Sequence, residues 1–135
     1  MYAWCVGCNA RVIMPNCRRV LVVASSPSVA EVLVEWLSSA GHETCVLTDF
    51  ASAKPELDNR PPDLLVTEIK LGAFNGLHLA IRAHAGDPDM PAIVIGDPDR
   101  VLEAEARQQH ARYLTMPLDE ALFSQTAREM IDQVH

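Results

Sequence analysis

The side chains of this chain that could do chemistry fall into a few short clusters. Cys5-Val6-Gly7-Cys8 has the two-residue spacer that lets two sulfurs converge on one metal ion or close a redox pair. A zinc site needs two more ligands, and Cys17 with a distant Cys45 or histidine does not supply a second close pair. A redox pair would open a helix after a strand, whereas this one stands near the start of the chain. Ser25-Ser26-Pro27-Ser28 offers hydroxyls but no identifiable base, and Ser28 with Glu31 reads as a helix capping box. Asp97-Pro98-Asp99 could meet a cation, yet a turn followed by a helix N-terminus accounts for it better. His78 and His84 share a predicted helix and read as surface residues. Glu68 stands alone behind an apolar run, and a single carboxylate rarely makes a magnesium site. No metal site or cofactor is expected.

Those residues must be positioned by the elements around them. Val20-Leu21-Val22-Val23 is a β-branched run between polar residues, the pattern of a strand buried on both faces. Val29, Val32, Leu33, Trp36, Leu37 and Ala40 then repeat at the spacing of one helical face, and Gly41 offers a left-handed stop. Thr44 to Leu47 predicts a second strand, and Phe50 to Leu57 a short helix weakened or kinked by Pro55. Leu64-Leu65-Val66 predicts a third strand and Leu71 to Asn75 a loop closed by Gly76. Leu77 to Ala83 predicts a helix, Ala92 to Ile95 a fourth strand and Val101 to His110 a helix. Arg112 to Thr115 predicts the last strand and Leu118 to Val134 a closing amphipathic helix. Strands alternating with helices through short connections imply parallel strands with helices on both faces. The expectation is a three-layer α/β/α fold, a doubly wound five-stranded parallel sheet of order 2-1-3-4-5. In such a sheet ligands meet the carboxyl ends of the strands at the switch point. That rule selects Ala24, Ser25, Ser26, Glu68, Gly96 and Met116 for inspection.

The composition agrees with one domain: 135 residues, 49% apolar and 21% charged, are enough for a core without disulfides or metal. Residues 1–17 read as a poorly ordered extension and 18–135 as the domain. The net charge of −7 hides an asymmetry, because Arg11, Arg18 and Arg19 precede any acid and the remainder holds 8 basic against 18 acidic residues. So acidic a body repels phosphates and anionic lipid, which argues against nucleic acid and membrane as partners. With no membrane-length apolar run and no secretory leader, a cytoplasmic, thiol-reduced setting is expected.

Four stretches, jointly in order and spacing, carry a family resemblance: Val20-Leu21-Val22-Val23 leading to Pro27, Pro62-Asp63-Leu64-Leu65-Val66 through Gly76-Leu77, Pro91 to Ile95, and Tyr113-Leu114-Thr115-Met116-Pro117-Leu118. Over residues 18–135 the chain resembles the receiver domain of bacterial two-component response regulators, which implies a flavodoxin-like, chemotaxis-regulator-like fold. Active members place two acids after strand 1, a phosphorylatable aspartate after strand 3, Thr or Ser after strand 4 and lysine before the proline after strand 5. Here those positions hold Ala24 and Ser25, Glu68, Gly96 and Met116. Aspartyl phosphate formation needs an in-line carboxylate and a shared Mg²⁺. Losing one transition-state donor typically costs on the order of 10²–10³ in rate, and several are gone.

The resemblance therefore implies a pseudo-receiver that is not an enzyme, with Glu68 as the phosphoacceptor equivalent, not itself phosphorylated and read as a solvated carboxylate at a pocket rim. Tyr113 stands at the family's switch aromatic, and a fixed rotamer is expected because Gly96 has no hydroxyl to move. Partners would be signalling proteins, namely a histidine kinase, a response regulator or an output protein, with a homodimer through helices 4 and 5 as a further option. The alternatives are a small molecule in the vacated crevice, a receiver that is still phosphorylated, and a thiol sensor built on Cys5 and Cys8.

Overall fold

The computed structural model describes residues 4–6 and 18–134. The elements run β1 (Trp4–Val6), β2 (Arg19–Val23), α1 (Pro27–Ser39), β3 (Glu43–Leu47), α2 (Phe50–Asn59), β4 (Leu64–Glu68), β5 (Lys70–Leu71), β6 (Phe74–Asn75), α3 (Leu77–Gly86), β7 (Ala92–Gly96), α4 (Arg100–Gln108), β8 (Arg112–Thr115) and α5 (Glu120–Val134). Five strands lie parallel in the order β3-β2-β4-β7-β8, the predicted 2-1-3-4-5 arrangement when counted among themselves. The sheet also has a sixth strand that the periodicity does not predict. β1 pairs antiparallel with β3 at the edge, so Trp4–Val6 belong to the sheet, whereas the sequence reading places them in a loose extension. The rest of residues 1–17, including Cys8 and Cys17, lies outside the described residues.

Strand residues alternate between two apolar layers, as a period of two requires. Leu21, Val23, Cys45, Leu65 and Val94 face the layer completed by Ala53, Leu57, Leu79, Ala80 and Ala106 of α2, α3 and α4. Val20, Val22, Val66 and Ile93 face Leu33, Leu37, Phe123, Ala127 and Ile131 of α1 and α5. Full burial of such a side chain contributes about 1.5–3 kcal/mol, so the central strands, inaccessible on both faces, anchor the fold.

Several local expectations are corrected. α1 starts at Pro27, and its N-cap is Ser26 without a side-chain cap bond, so Ser28 and Glu31 do not form a capping box. Proline suits the first helical position because it has no N–H to satisfy there. Pro55 lies inside α2, and the helix continues past it to Asn59. The stretch predicted as a loop before Gly76 is a small hairpin, with Lys70 opposite Asn75 and Leu71 opposite Phe74. Gly76 closes it under steric constraint, since a Cβ there would stand 1.9 Å from the Glu68 carbonyl oxygen. α4 stops two residues before His110, which takes the left-handed conformation at φ 59° while Ala111 N–H donates back to the Ala106 carbonyl. Among the described residues no helix is long and apolar enough to cross a membrane.

Candidate functional site

The carboxyl ends of β2, β4, β7 and β8 bring Ala24, Ser25, Glu68, Gly96 and Met116 to one end of the sheet, as the strand order requires. Ala24 is 1% exposed, its N–H donates to the Leu47 carbonyl at 3.0 Å, and its methyl belongs to the layer under α1 and α5. A methyl packed among apolar groups cannot ligate a cation. Ser25 is exposed and spends its hydroxyl on the Lys70 carbonyl at 3.1 Å.

Glu68 is half-buried and tied down, contrary to the expectation of a solvated rim carboxylate. Its Oε1 accepts the Ser26 N–H at 2.9 Å, placing an anion at the N-terminus of α1. The helix has no acidic residue in its first turn and no side-chain cap, so Glu68 from β4 supplies the charge that the local sequence omits. The extra methylene that removes Glu68 from an aspartate geometry is what gives it this reach.

Gly96 and Tyr113 form the second half of the site. A Cβ at Gly96 would stand 2.5 Å from Ile69 Cγ2 and 2.6 Å from the Tyr113 hydroxyl. The space a side chain would need is therefore taken by a β-branched residue and a phenol. Tyr113 donates its O–H to the Asp97 carbonyl at 2.6 Å, which fixes the ring over Gly96. Burial, followed by the carboxylates of Asp99, Glu103 and Asp97, holds the phenol pKa above its ordinary value, so it remains a donor at neutral pH. Met116 is 36% exposed, donates its N–H to the Gly96 carbonyl at 2.9 Å and is followed by a cis bond to Pro117. It brings a thioether where a cation would be needed. The one ammonium seen here, on exposed Lys70, faces Asp97 Oδ2 at 3.9 Å in an exposed pair worth little in water.

One participant escapes the sequence reading, and two act through groups other than the side chains noted there. Ile69, directly after β4, is not singled out by the sequence, Asp97 acts through its backbone carbonyl, and Ser26 acts through its N–H. Backbone groups leave no trace in residue type. The small residue at Gly96 was the available signal, since a buried glycine ending a strand marks a close approach. Ile69 and Tyr113 occupy the ground directly over Gly96, one corner of the crevice that the small-molecule alternative would use. Of the histidines, His78 is exposed, and half-buried His84 bonds through Nε2 to the Met90 carbonyl at 2.6 Å. Asp99 caps α4 by accepting the N–H groups of Val101 and Leu102. Among the described residues no three His, Cys, Asp or Glu side chains converge as a metal-ligand set.

Comparison with known proteins bears on this geometry. The DNA-binding response regulator MtrA of Mycolicibacterium smegmatis is 34% identical over 73 residues, 53% of this chain and 32% of that protein. The response regulator receiver protein CpdR of Brucella abortus is 32% identical over 78 residues, 58% of this chain and 65% of that protein. Over part of its length the chain is thus similar to response-regulator receiver sequences. The receiver fold is matched by the CheY-like receiver protein of Methanospirillum hungatei at a TM-score of 0.81 and 20% identity, covering 87% of this chain and 96% of that one. The beryllofluoride-activated NtrC4 receiver domain dimer matches at a TM-score of 0.81 and 19% identity, covering 87% and 98%. No family model matches the chain. The chain spans about a third of MtrA and just under two thirds of CpdR.

Proposed function

We propose that this receiver domain serves two-component signalling as a pseudo-receiver, through protein contact and without phosphoryl transfer. The observation that carries the reading is the crowding over Gly96: Ile69 and Tyr113 stand where any side chain at that position would have to lie. The other positions support it. Ala24 is buried, Ser25 is neutral, Glu68 is engaged by the N-terminus of α1, and Met116 carries no charge. In-line transfer needs metal and cationic support for charge spread over the phosphoryl oxygens, and these side chains supply neither. The domain is not an enzyme on this reading and needs no cofactor.

The contact surface is the face of α4, β8 and α5. Val101 on α4 and Leu122 on α5 are 66% and 53% exposed, large apolar side chains in water. Between them β8 presents Tyr113 in its fixed position and Arg112, which faces Glu129 of α5 at 3.7 Å. The partner is a cytoplasmic signalling protein, whether a histidine kinase, a response regulator or an output protein, or a second copy of this domain. The beryllofluoride-activated NtrC4 receiver neighbour is a dimer, which supports the last possibility.

Backbone amide NMR shifts, followed while Mg²⁺ and beryllofluoride are added, test the reading. No saturable change is expected at Glu68, Gly96 or Met116. Saturable shifts centred there would mean that the phosphoryl pocket works, and the proposal would fall.

A further inference from the structure

The antiparallel pairing of β1 with β3 makes a juxtaposition that the spacing of the cysteines hides. Trp4, Cys5 and Val6 stand opposite Val46, Cys45 and Thr44, so Cys5 is directly across the ladder from Cys45. The register is pinned from the other side, where β3 pairs in parallel with β2 and Cys45 stands opposite Leu21. Directly opposed residues of an antiparallel pair have Cα atoms about 4.5 or 5.5 Å apart. Both values fall within the roughly 4.4–6.8 Å that a disulfide spans. Cys45 is fully buried in the apolar layer under α2 and α3.

We propose that Cys5 and Cys45 form a redox-dependent cross-strand disulfide that staples the edge strand β1 to the sheet. This is a different pair from the one the Cys5-Val6-Gly7-Cys8 spacing suggests, and it is independent of how the phosphoryl pocket is read. The oxidant is a low-molecular-weight disulfide of the glutathione type. Cys5, on the edge strand, attacks as thiolate, the oxidant's S–S bond breaks and one thiol leaves with a proton. The Cys45 thiolate then displaces the second thiol from the mixed disulfide. In total two cysteine thiols are oxidised, one disulfide is reduced, and two small thiols are released. The staple would hold in place the strand that covers the outer edge of β3, where unpaired backbone groups would otherwise invite another chain.

The test is incubation of the native full-length chain with glutathione disulfide, quenching by alkylation and peptide mass spectrometry. The expected product has lost two hydrogens and yields a linked pair joining the Cys5 peptide to the Cys45 peptide. A C8S/C17S double variant should form it equally well, and Cys5→Ser should abolish it. The oxidised chain should also unfold at higher urea concentration than the reduced chain. A Cys5–Cys8 bond as the sole product, a stable glutathione adduct without closure, or no oxidation at all would each overturn the proposal.

Discussion

At the scale of single residues, the site is defined by what stands next to what. Gly96 is small because Ile69 and Tyr113 occupy the space beyond it. The substitution Gly96→Ser must therefore move the Tyr113 ring, since the isoleucine has little freedom to give way. The chain holds two tyrosines, Tyr2 and Tyr113, so 3-fluorotyrosine labelling in a Tyr2→Phe background yields one fluorine signal to follow. Gly96→Ser should shift and broaden that signal, whereas an unchanged signal would refute the fixed ring. Tyr113→Phe removes the donor to the Asp97 carbonyl but keeps the ring, so it separates the hydrogen bond from the packing. Glu68 supplies a second prediction. Glu68→Ala leaves the Ser26 N–H without its anionic acceptor and should lower stability by about 1 kcal/mol in urea unfolding. Glu68→Gln keeps an acceptor and should cost less. Equal losses would mean that charge at the helix terminus contributes nothing.

At the scale of elements, helix ends carry the information that periodicity lacks. The apolar stripe of α1 is visible in the sequence, but its start is set by Pro27 and by a carboxylate from β4, not by the serine and glutamate that resemble a capping box. A box is recognised from residues three apart, and a cap from a distant strand has no such spacing. The hairpin β5–β6 escaped for a related reason. Two-residue strands carry no measurable alternation, and this one is set by the stop that Gly76 imposes against the Glu68 carbonyl. α4 ends on a residue suited to another role, because His110 holds a positive φ that glycine adopts without steric cost. His110→Gly should raise stability by about 0.5–1 kcal/mol with no change in fold. A lower urea midpoint would show instead that the imidazole makes a contact worth more than the backbone strain.

At the scale of the whole molecule, pH sensitivity arises from where the chain folds back at the amino end of the sheet. Burial, and next the Arg18 guanidinium, lower the His42 pKa, and Asp63 opposes them. The unfolded chain protonates this imidazole near its ordinary 6.5, and the folded chain only at lower pH. Between those values the unfolded state binds more protons, so stability is full above about pH 6.5 and declines as pH falls through the window. Urea midpoints at about pH 7.5 and 5.5 should differ more for the native chain than for His42→Gln. Identical differences would place the acid sensitivity elsewhere. The acidic excess acts at the same scale. With Glu68 engaged internally and Asp99 spent on the α4 cap, exposed Glu105 carries part of that excess on the outer surface of α4.

The sequence by itself determined the alternation of strands and helices, the parallel order and the group of residues at the strand ends, because apolar period and run length are local properties that packing then only confirms. It also named the positions where receiver chemistry would need acids, a hydroxyl and a cation. Tertiary structure alone decided what those positions do. Ala24 turned inward, Glu68 reached across to α1, and Tyr113 closed over Gly96, each through a contact between segments far apart in the chain. The same holds for Cys5 and Cys45, separated in sequence and brought opposite by an antiparallel pairing that no short-range pattern encodes. Which side chain meets which depends on register and on backbone donors and acceptors, and residue type is silent about both.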